Sequence, residues 1–315
     1  MKQVIDISII CPVYNEREHL SSLASTFLAD DGIKKEVFFV DAGSDDGSVE
    51  YIKTLSEKDS RINLVQNPSK YVNHGFNMAY PVTSGRYIAL LGAHSNYPGN
   101  FFRIGFEALE KNECDAVGGP LKQIGRGIVG EAIAESLSSR FGVGNTEFRV
   151  FKKRMFVDSV AFAIYKKKVF EEIGLLDKDL IKNQDDEFHY RLNKAGFKIL
   201  MLPEMEVEYF VRNSLAGLIK QYFNYGLFKP LVLKKIGNVV SIRHFVPALF
   251  VLYLLSLPLC LYSMLWLIPL ILYVFIDLFF SMKAAGGIKV KAFSFIIFPV
   301  IHVSYGLGFI LGLNK

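Results

Sequence analysis

The sequence predicts an α/β domain on a parallel sheet with helices on both faces, followed by an apolar, membrane-anchored tail. Three observations predict it. Short apolar runs alternate with amphipathic helical stretches over residues 7–91, polar residues collect just after each run, and charge vanishes from the C-terminal part. Strands buried on both faces read as unbroken apolar runs, and alternation with helices is the pattern of parallel crossovers.

The elements follow in order. Ile7 to Val13 is an apolar strand that ends at Asn15 and Glu16, and Glu18 to Ala29 reads as a helix. Val37 to Val40 is a strand stopped by the acidic, Gly-rich turn of "VDAGSDDGS", after which Ser48 to Leu55 reads as a helix. Ile62 to Gln66 is a third strand, Gly75 to Val82 a short helix and Arg86 to Leu91 a fourth strand. Ligands of open parallel sheets bind at the carboxyl ends of the strands. Asn15, Glu16, Asp41 to Asp46, Asn67, Lys70 and His94 fall at those ends. Asp45, Asp46 and Ser48 also suit a turn and a helix cap, which is the role expected of the two aspartates.

The tail is apolar for a different reason. Between Phe245 and Met282 the only charge is Asp277, and Ala292 to Leu313 has none. A spanning helix needs about 20 apolar residues, so the expected organisation is a domain over 1–230 and, over 231–315, an interfacial segment with about three transmembrane helices. Lys229, Lys234, Lys235 and Arg243 precede the tail, and Lys283, Lys289 and Lys291 lie inside it. The positive-inside rule puts both groups in the cytoplasm. The run "VIDISIICPVY" lacks the layout of a secretory signal, so the first domain is expected on the cytoplasmic face of the cell membrane.

Composition narrows the function. A net charge of +5 without a basic stripe makes nucleic acid an unexpected partner. Cys11, Cys114 and Cys260 are too scattered for a disulfide framework or a zinc site. Asp277 and His302 alone, in about three spans, give a transport pathway little lining.

"CPVYNERE", followed about 25 residues later by "FFVDAGSDDGS", resembles the opening of family 2 glycosyltransferases. "NHGFNMAYPVTSGRYIALL" and "NQDDEFHYRLNKAGFKI" are similar to later segments of that family. "VGGP", "FGVGN" and "RNSLAGLIKQYFNYGLFK" look like its exopolysaccharide, succinoglycan-type subgroup, whose members carry membrane helices after the catalytic domain. The resemblance implies a GT-A (nucleotide-diphospho-sugar transferase, Rossmann-like) fold. It implies an inverting transferase that moves a sugar from a nucleotide, expected to be a UDP-sugar, to a lipid-linked oligosaccharide during surface polysaccharide assembly. A polyprenyl-phosphate glycosyltransferase and a non-catalytic nucleotide-sugar-binding scaffold subunit are the alternatives.

The resemblance also implies roles. Pro12, Tyr14 and Glu16 would line the base and ribose slot and Asp41 would bond the base, unless it is a turn residue. Lys70 would meet the diphosphate or remain a solvated surface residue. "GAH", Gly92 to His94, stands where relatives carry Asp-x-Asp or Asp-Ala-His. His94 would contact Mn2+ or Mg2+, or else be a turn histidine, and Ala93 is retained beside it, whereas Gly92 replaces the first carboxylate. Imidazole suits manganese, and hard oxygen ligands suit both ions. Asp185 of "NQDDEF" would be the general base, a usual carboxylate role, with Gln184 where the family has Glu. Glu187 and Arg191 are spaced for an intrahelical pair. Gln221 and Tyr225 of "QYFNYG" match a worn Gln-x-x-Arg-Trp element, on an amphipathic helix expected at the membrane surface.

Overall fold

The computed structural model describes residues 4–237 and 244–314. Arg243 and Lys315 lie outside the described residues. From the N-terminus the elements are β1 (Ile7–Val13), α1 (Leu20–Phe27), β2 (Lys35–Asp41), α2 (Ser48–Lys58), β3 (Ile62–Gln66), α3 (Val72–Ala79) and β4 (Tyr87–Leu90). Next come β5 (Ser95–Asn96), α4 (Phe101–Glu110), β6 (Ala116–Gly118), β7 (Leu121–Ile124), α5 (Gly127–Leu137), α6 (Arg140–Val143) and α7 (Glu147–Val150). β8 (Met155–Val157), β9 (Ala163–Lys166), α8 (Lys167–Ile173), α9 (Gln184–Lys194), β10 (Ile199–Met201) and β11 (Val207–Phe210) follow. The chain closes with α10 (Leu215–Ile236), α11 (Val246–Leu255), α12 (Ile268–Lys283) and α13 (Ile288–Gly312). Its contacts fall into two compact units, residues 4–121 with 151–209 and residues 122–150 with 210–314.

The first unit holds an eight-stranded sheet in the order β3-β2-β1-β4-β9-β6-β10-β8. The expectation of parallel strands holds for β1 to β4, which pair in parallel. It is corrected beyond them, because β9 runs antiparallel to both β4 and β6, and β8 antiparallel to β10. No helix of this unit lies between β6 and β9, and antiparallel neighbours need no crossover. Ile7, Ile9, Ile10, Val37, Phe39, Ile88 and Ala89 have no exposed surface, as expected where both faces of a sheet are covered.

Helix limits differ from the sequence reading at their ends. The third helix begins at Val72, ahead of Gly75, and after Ala79 the chain tightens into a 3₁₀ turn over Tyr80–Val82. Gly75 is required there: a Cβ would fall 2.6 Å from Val40 Cγ1 and 2.8 Å from Asn67 Nδ2. That close approach seats α3 against β2.

The second unit is helical. α10 and α13 touch backbone to backbone, since a Cβ at Gly226 would lie 2.1 Å from the Tyr305 carbonyl oxygen and one at Gly308 2.1 Å from that of Phe223. Phe141 of α6 packs among Tyr273, Phe280, Phe298 and His302, and His302 Nε2 lies 2.8 Å from the Phe141 carbonyl oxygen. Among the described residues, two helical stretches, Met264–Lys283 and Ile288–Gly312, are long and apolar enough to cross a bilayer. The expected third span is shorter. Val246–Leu255 has ten residues, and 3₁₀ turns over Leu257–Leu261, with Pro258 in the first turn, and Met264–Leu267 separate it from α12.

Candidate active site

The sheet order sets β2, β1 and β4 side by side, so their carboxyl ends share one edge. The turns after β1 and β2 are tied together. Asn15, in the left-handed region at φ 56°, donates its N–H to Ser44 Oγ at 2.9 Å, and its Oδ1 accepts from Asp45 N–H at 3.0 Å. Glu16 N–H donates to Ser48 Oγ at 3.1 Å and Arg17 N–H to Asp46 Oδ2 at 3.0 Å. Asp46 Oδ1 accepts from the N–H and hydroxyl of Ser48 at 3.0 and 2.6 Å. Its expected place as a turn residue therefore has a geometry.

Asp41 is 3% exposed. Its carboxylate accepts from Gly43 N–H at 2.8 Å, Ser44 N–H at 3.2 Å and the Ser44 hydroxyl at 2.5 Å. Ser44 N–H also reaches the other carboxylate oxygen at 3.4 Å, so the four or so acceptor directions of an ionised carboxylate are all met from within the turn, and in this structure the group shapes the turn. Pro12 sits two residues beyond Ile10, where pairing with β4 ends, so its missing N–H interrupts no bond to that strand. Tyr14 is 55% exposed at the rim. Lys70, in the left-handed region at φ 66°, reaches back over this turn: its Cε lies 3.5 Å and its Nζ 3.9 Å from where a Cβ on Gly43 would stand.

The turn after β4 is the question the sequence posed. Gly92 N–H donates to the Tyr97 hydroxyl at 2.7 Å, and that hydroxyl donates to Gly92 O at 2.9 Å. Burial, then the nearby Cys11, holds the Tyr97 phenol well above its ordinary pKa, so it stays a donor. A Cβ at Gly92 would meet the Phe162 ring at 2.7 Å. The space that a side chain at this position would take is filled by that aromatic ring. Ala93 is buried. His94, half exposed, brings Nδ1 to 2.5 Å from Oε1 of the buried Glu16.

Asp185 lies in the first turn of α9 with Asp186 and Glu187, where negative charge suits the helix dipole. It lines a small cavity with Leu90, Ala161, Tyr165, Gln184 and His189. Leu90 stands at the end of β4, four residues before His94. Burial, with the Asp185 charge as a second cause, pushes the Tyr165 phenol far up. In the cavity wall His189 is 2% exposed, with Nδ1 2.9 Å from Ser159 Oγ and Nε2 2.8 Å from the Tyr165 hydroxyl. Burial pushes its pKa down to about 4, so the ring is neutral.

The loop leading to Asp185 is held from two sides. On α3, Asn73 Nδ2 donates to the carbonyl oxygens of Asp177 and Leu180 at 2.7 and 3.0 Å, His74 Nε2 lies 3.0 Å from that of Lys178, and Asn77 Nδ2 donates to that of Leu176 at 2.7 Å. On α9, Arg191 grips Glu187 through Nε and Nη2 at 2.6 and 2.9 Å and donates to the Ile173 and Leu175 carbonyl oxygens. The "NHGFNMA" segment and Arg191 thus position the first turn of α9 without entering the cavity. Gln221 and Tyr225 belong to the second unit, one turn apart on α10, where Gln221 Nε2 donates to the Tyr225 hydroxyl at 3.0 Å.

Among the described residues no group of three or more His, Cys, Asp or Glu side chains is gathered for a metal. A half-exposed imidazole backed by a carboxylate nevertheless fits an ion held jointly with ligand phosphates, since such ions use few protein groups. Sequence reasoning missed Ser159, Phe162, Tyr165 and His189. Only His189 carried a signal, its i+4 spacing from Asp185.

The family model for glycosyl transferase family 2 matches residues 8–174. The chain is 28% identical over 239 residues to the dolichyl N-acetyl-alpha-D-glucosaminyl phosphate 3-beta-D-2,3-diacetamido-2,3-dideoxy-beta-D-glucuronosyltransferase of Methanococcus voltae, across 73% of this chain and 74% of that protein. It is 26% identical over 221 residues to the succinoglycan biosynthesis protein ExoA of Rhizobium meliloti, across 69% and 67%. Among solved structures, the mannosyltransferase PcManGT from Pyrobaculum calidifontis, in complex with GDP-Man and Mn2+, superposes with a TM-score of 0.63 at 16% identity, covering 99% of this chain and 88% of that one. TarS residues 1–349 from S. aureus superpose with a TM-score of 0.50 at 13% identity, covering 95% and 89%. Those structures share the GT-A-like fold. The matched residues span β1 to β9 and so contain the tied turns, the Gly92 turn and the Phe162 ring; as they make up more than half of the chain's 315 residues, the protein belongs to glycosyl transferase family 2.

Proposed function

We propose that this glycosyltransferase moves a sugar with inversion from a nucleotide-sugar, UDP-linked by first expectation, onto a lipid-linked sugar acceptor at the cytoplasmic face of the cell membrane. The observation that carries the reading is one edge of one unit. Glu16 and His94 meet at the ends of β1 and β4, the Asp41 turn is tied to the Glu16 turn, and Leu90 of β4 walls the cavity of Asp185. Two helices of membrane-crossing length fit an acceptor carried by lipid, and the relative from Methanococcus voltae is named for one.

The residues divide the work. Tyr14 and Pro12 flank a slot for the base, and Asp41 would bond the base by exchanging the long Ser44 N–H contact for a base N–H. Lys70 neutralises diphosphate charge from the next loop. Mn2+ or Mg2+, held through His94 and donor phosphates, would supply charge stabilisation of the leaving diphosphate. Ala93 keeps the backbone beside it close to the ligand. Asp185 takes the proton of the acceptor hydroxyl as the anomeric carbon exchanges its bond to the phosphate oxygen for one to the acceptor oxygen.

Nucleotide release from UDP-sugars and GDP-mannose by detergent-purified protein tests the reading, with radiolabel transfer into a chloroform-soluble product identifying the acceptor class. Asp185→Asn is expected to lower turnover at least 100-fold while leaving nucleotide affinity nearly unchanged, on the scale of general-base catalysis. Full activity of Asp185→Asn would remove the base assignment. Nucleotide binding without any transfer in the wild type would favour a scaffold subunit, for which Gly92 and Gln184 speak.

A further inference from the structure

We infer that Glu16 is a positioning residue: it fixes the tautomer of His94, so that Nδ1 carries the hydrogen and Nε2 is the atom offered to a divalent cation. The inference rests on the proposed function and changes one expectation within it, since Glu16 was assigned to the ribose slot by resemblance.

Three observations carry it. Glu16 is 3% exposed whereas the His94 side chain is 51% exposed, so the carboxylate is inside and the ring leads outward from it. Nδ1 lies 2.5 Å from Oε1. An ionised carboxylate only accepts, and burying it requires a donor, so Nδ1 must hold the hydrogen. The other oxygen, Oε2, has its nearest basic group at His19 Nε2, 3.9 Å away, beyond hydrogen-bond reach. His94 is therefore the close side-chain partner that stabilises this carboxylate.

The consequence is chemical. A neutral imidazole with Nδ1–H has its lone pair on Nε2, and a carboxylate behind the ring orients it. Glu16 is itself fixed, because its N–H is bonded to Ser48 Oγ at 3.1 Å and the β1 and β2 turns are cross-linked around it. The ring is thus aimed by the strand pair β1–β2, although it grows from β4. This makes the acidic "DDGS" turn a remote support of the His94 ring.

The test uses the full chain in detergent with 15N-labelled histidine. In the wild type without metal, the His94 signals should show a protonated Nδ1 and an unprotonated Nε2. Glu16→Ala should shift the ring toward the Nε2–H tautomer and weaken Mn2+-dependent binding of UDP or GDP by about 10- to 100-fold, the usual range for losing such a partner. Glu16→Gln, whose amide oxygen still accepts, should keep the tautomer and most of the affinity, and it serves if the alanine variant fails to fold. An Nε2–H tautomer in the wild type, or unchanged tautomer and Mn2+ dependence in Glu16→Ala, overturns the inference. Metal-indifferent nucleotide binding by the wild type instead overturns the metal part of the proposed function, and with it the purpose given to Glu16, whatever the tautomer.

Discussion

At the scale of single residues, the glycine in "LGAH" is matched by a ring. Phe162 occupies the space that any side chain on residue 92 would enter, and it is braced by Tyr97 and Tyr209 at centroid distances of 5.8 and 6.4 Å. Gly92→Asp is therefore expected to destabilise the protein by about 1–3 kcal/mol, the usual cost of overpacking, and to weaken nucleotide binding. Adding Phe162→Ala should recover part of both losses, which thermal melts and calorimetry on the four variants would measure. Simple additivity of the two changes would mean that the ring and the glycine are independent. The residues that the sequence singles out are those whose identity announces chemistry: Glu16, Asp41, His94 and Asp185. Phe162 was not legible, because a phenylalanine ahead of a strand reads as core and only its contact with Gly92 gives it meaning.

At the scale of elements, α9 and α3 act as a pair around one loop. Arg191 and Glu187 were readable from their i,i+4 spacing, whereas the amide bonds from Asn73 and Asn77 span about 100 residues of sequence and leave no local trace. His189 anchors α9 against β9, and its burial has a pH signature. Its folded pKa of about 4 lies below the ordinary 6.5, so between those values the unfolded chain binds a proton that the folded chain does not. Stability should fall as pH drops from about 6.5 to about 4, by roughly 3 kcal/mol from this group, and its contribution should be flat above and below that window. His189→Phe should flatten the decline in melts between pH 7 and pH 4.5, and an unaltered slope would refute it. In the helical unit, Gly308 and Gly312 of α13 meet the carbonyl oxygens of Phe223 and Leu227 on α10, the close approach that small residues allow between apolar helices. Gly308→Leu should separate them and abolish a cooperative melt, while Leu311→Ala, at an exposed position of the same helix, should leave it nearly unchanged.

At the scale of the whole molecule, the division of contacts does not follow the division of hydropathy. Residues 122–150 precede the apolar tail by about a hundred positions, yet they pack into the helical unit, where Phe141 meets α12 and α13 and Glu135 Oε2 accepts from Ala285 N–H at 2.8 Å. Truncation after residue 230 is therefore expected to yield aggregated protein with an uncovered Phe141 face, which size-exclusion chromatography with and without detergent would show. A monomeric, soluble 1–230 fragment would contradict this. By itself the sequence determined the alternating strands, the acidic turns at their ends, the apolar tail and the family, because each is written in local composition and spacing. Tertiary structure alone decided the reversal of β9, the recruitment of residues 122–150, the ring over Gly92 and the Glu16–His94 pair. Those depend on which distant segments become neighbours, and close packing and the pairing of buried polar groups set them, leaving no periodic mark on the chain.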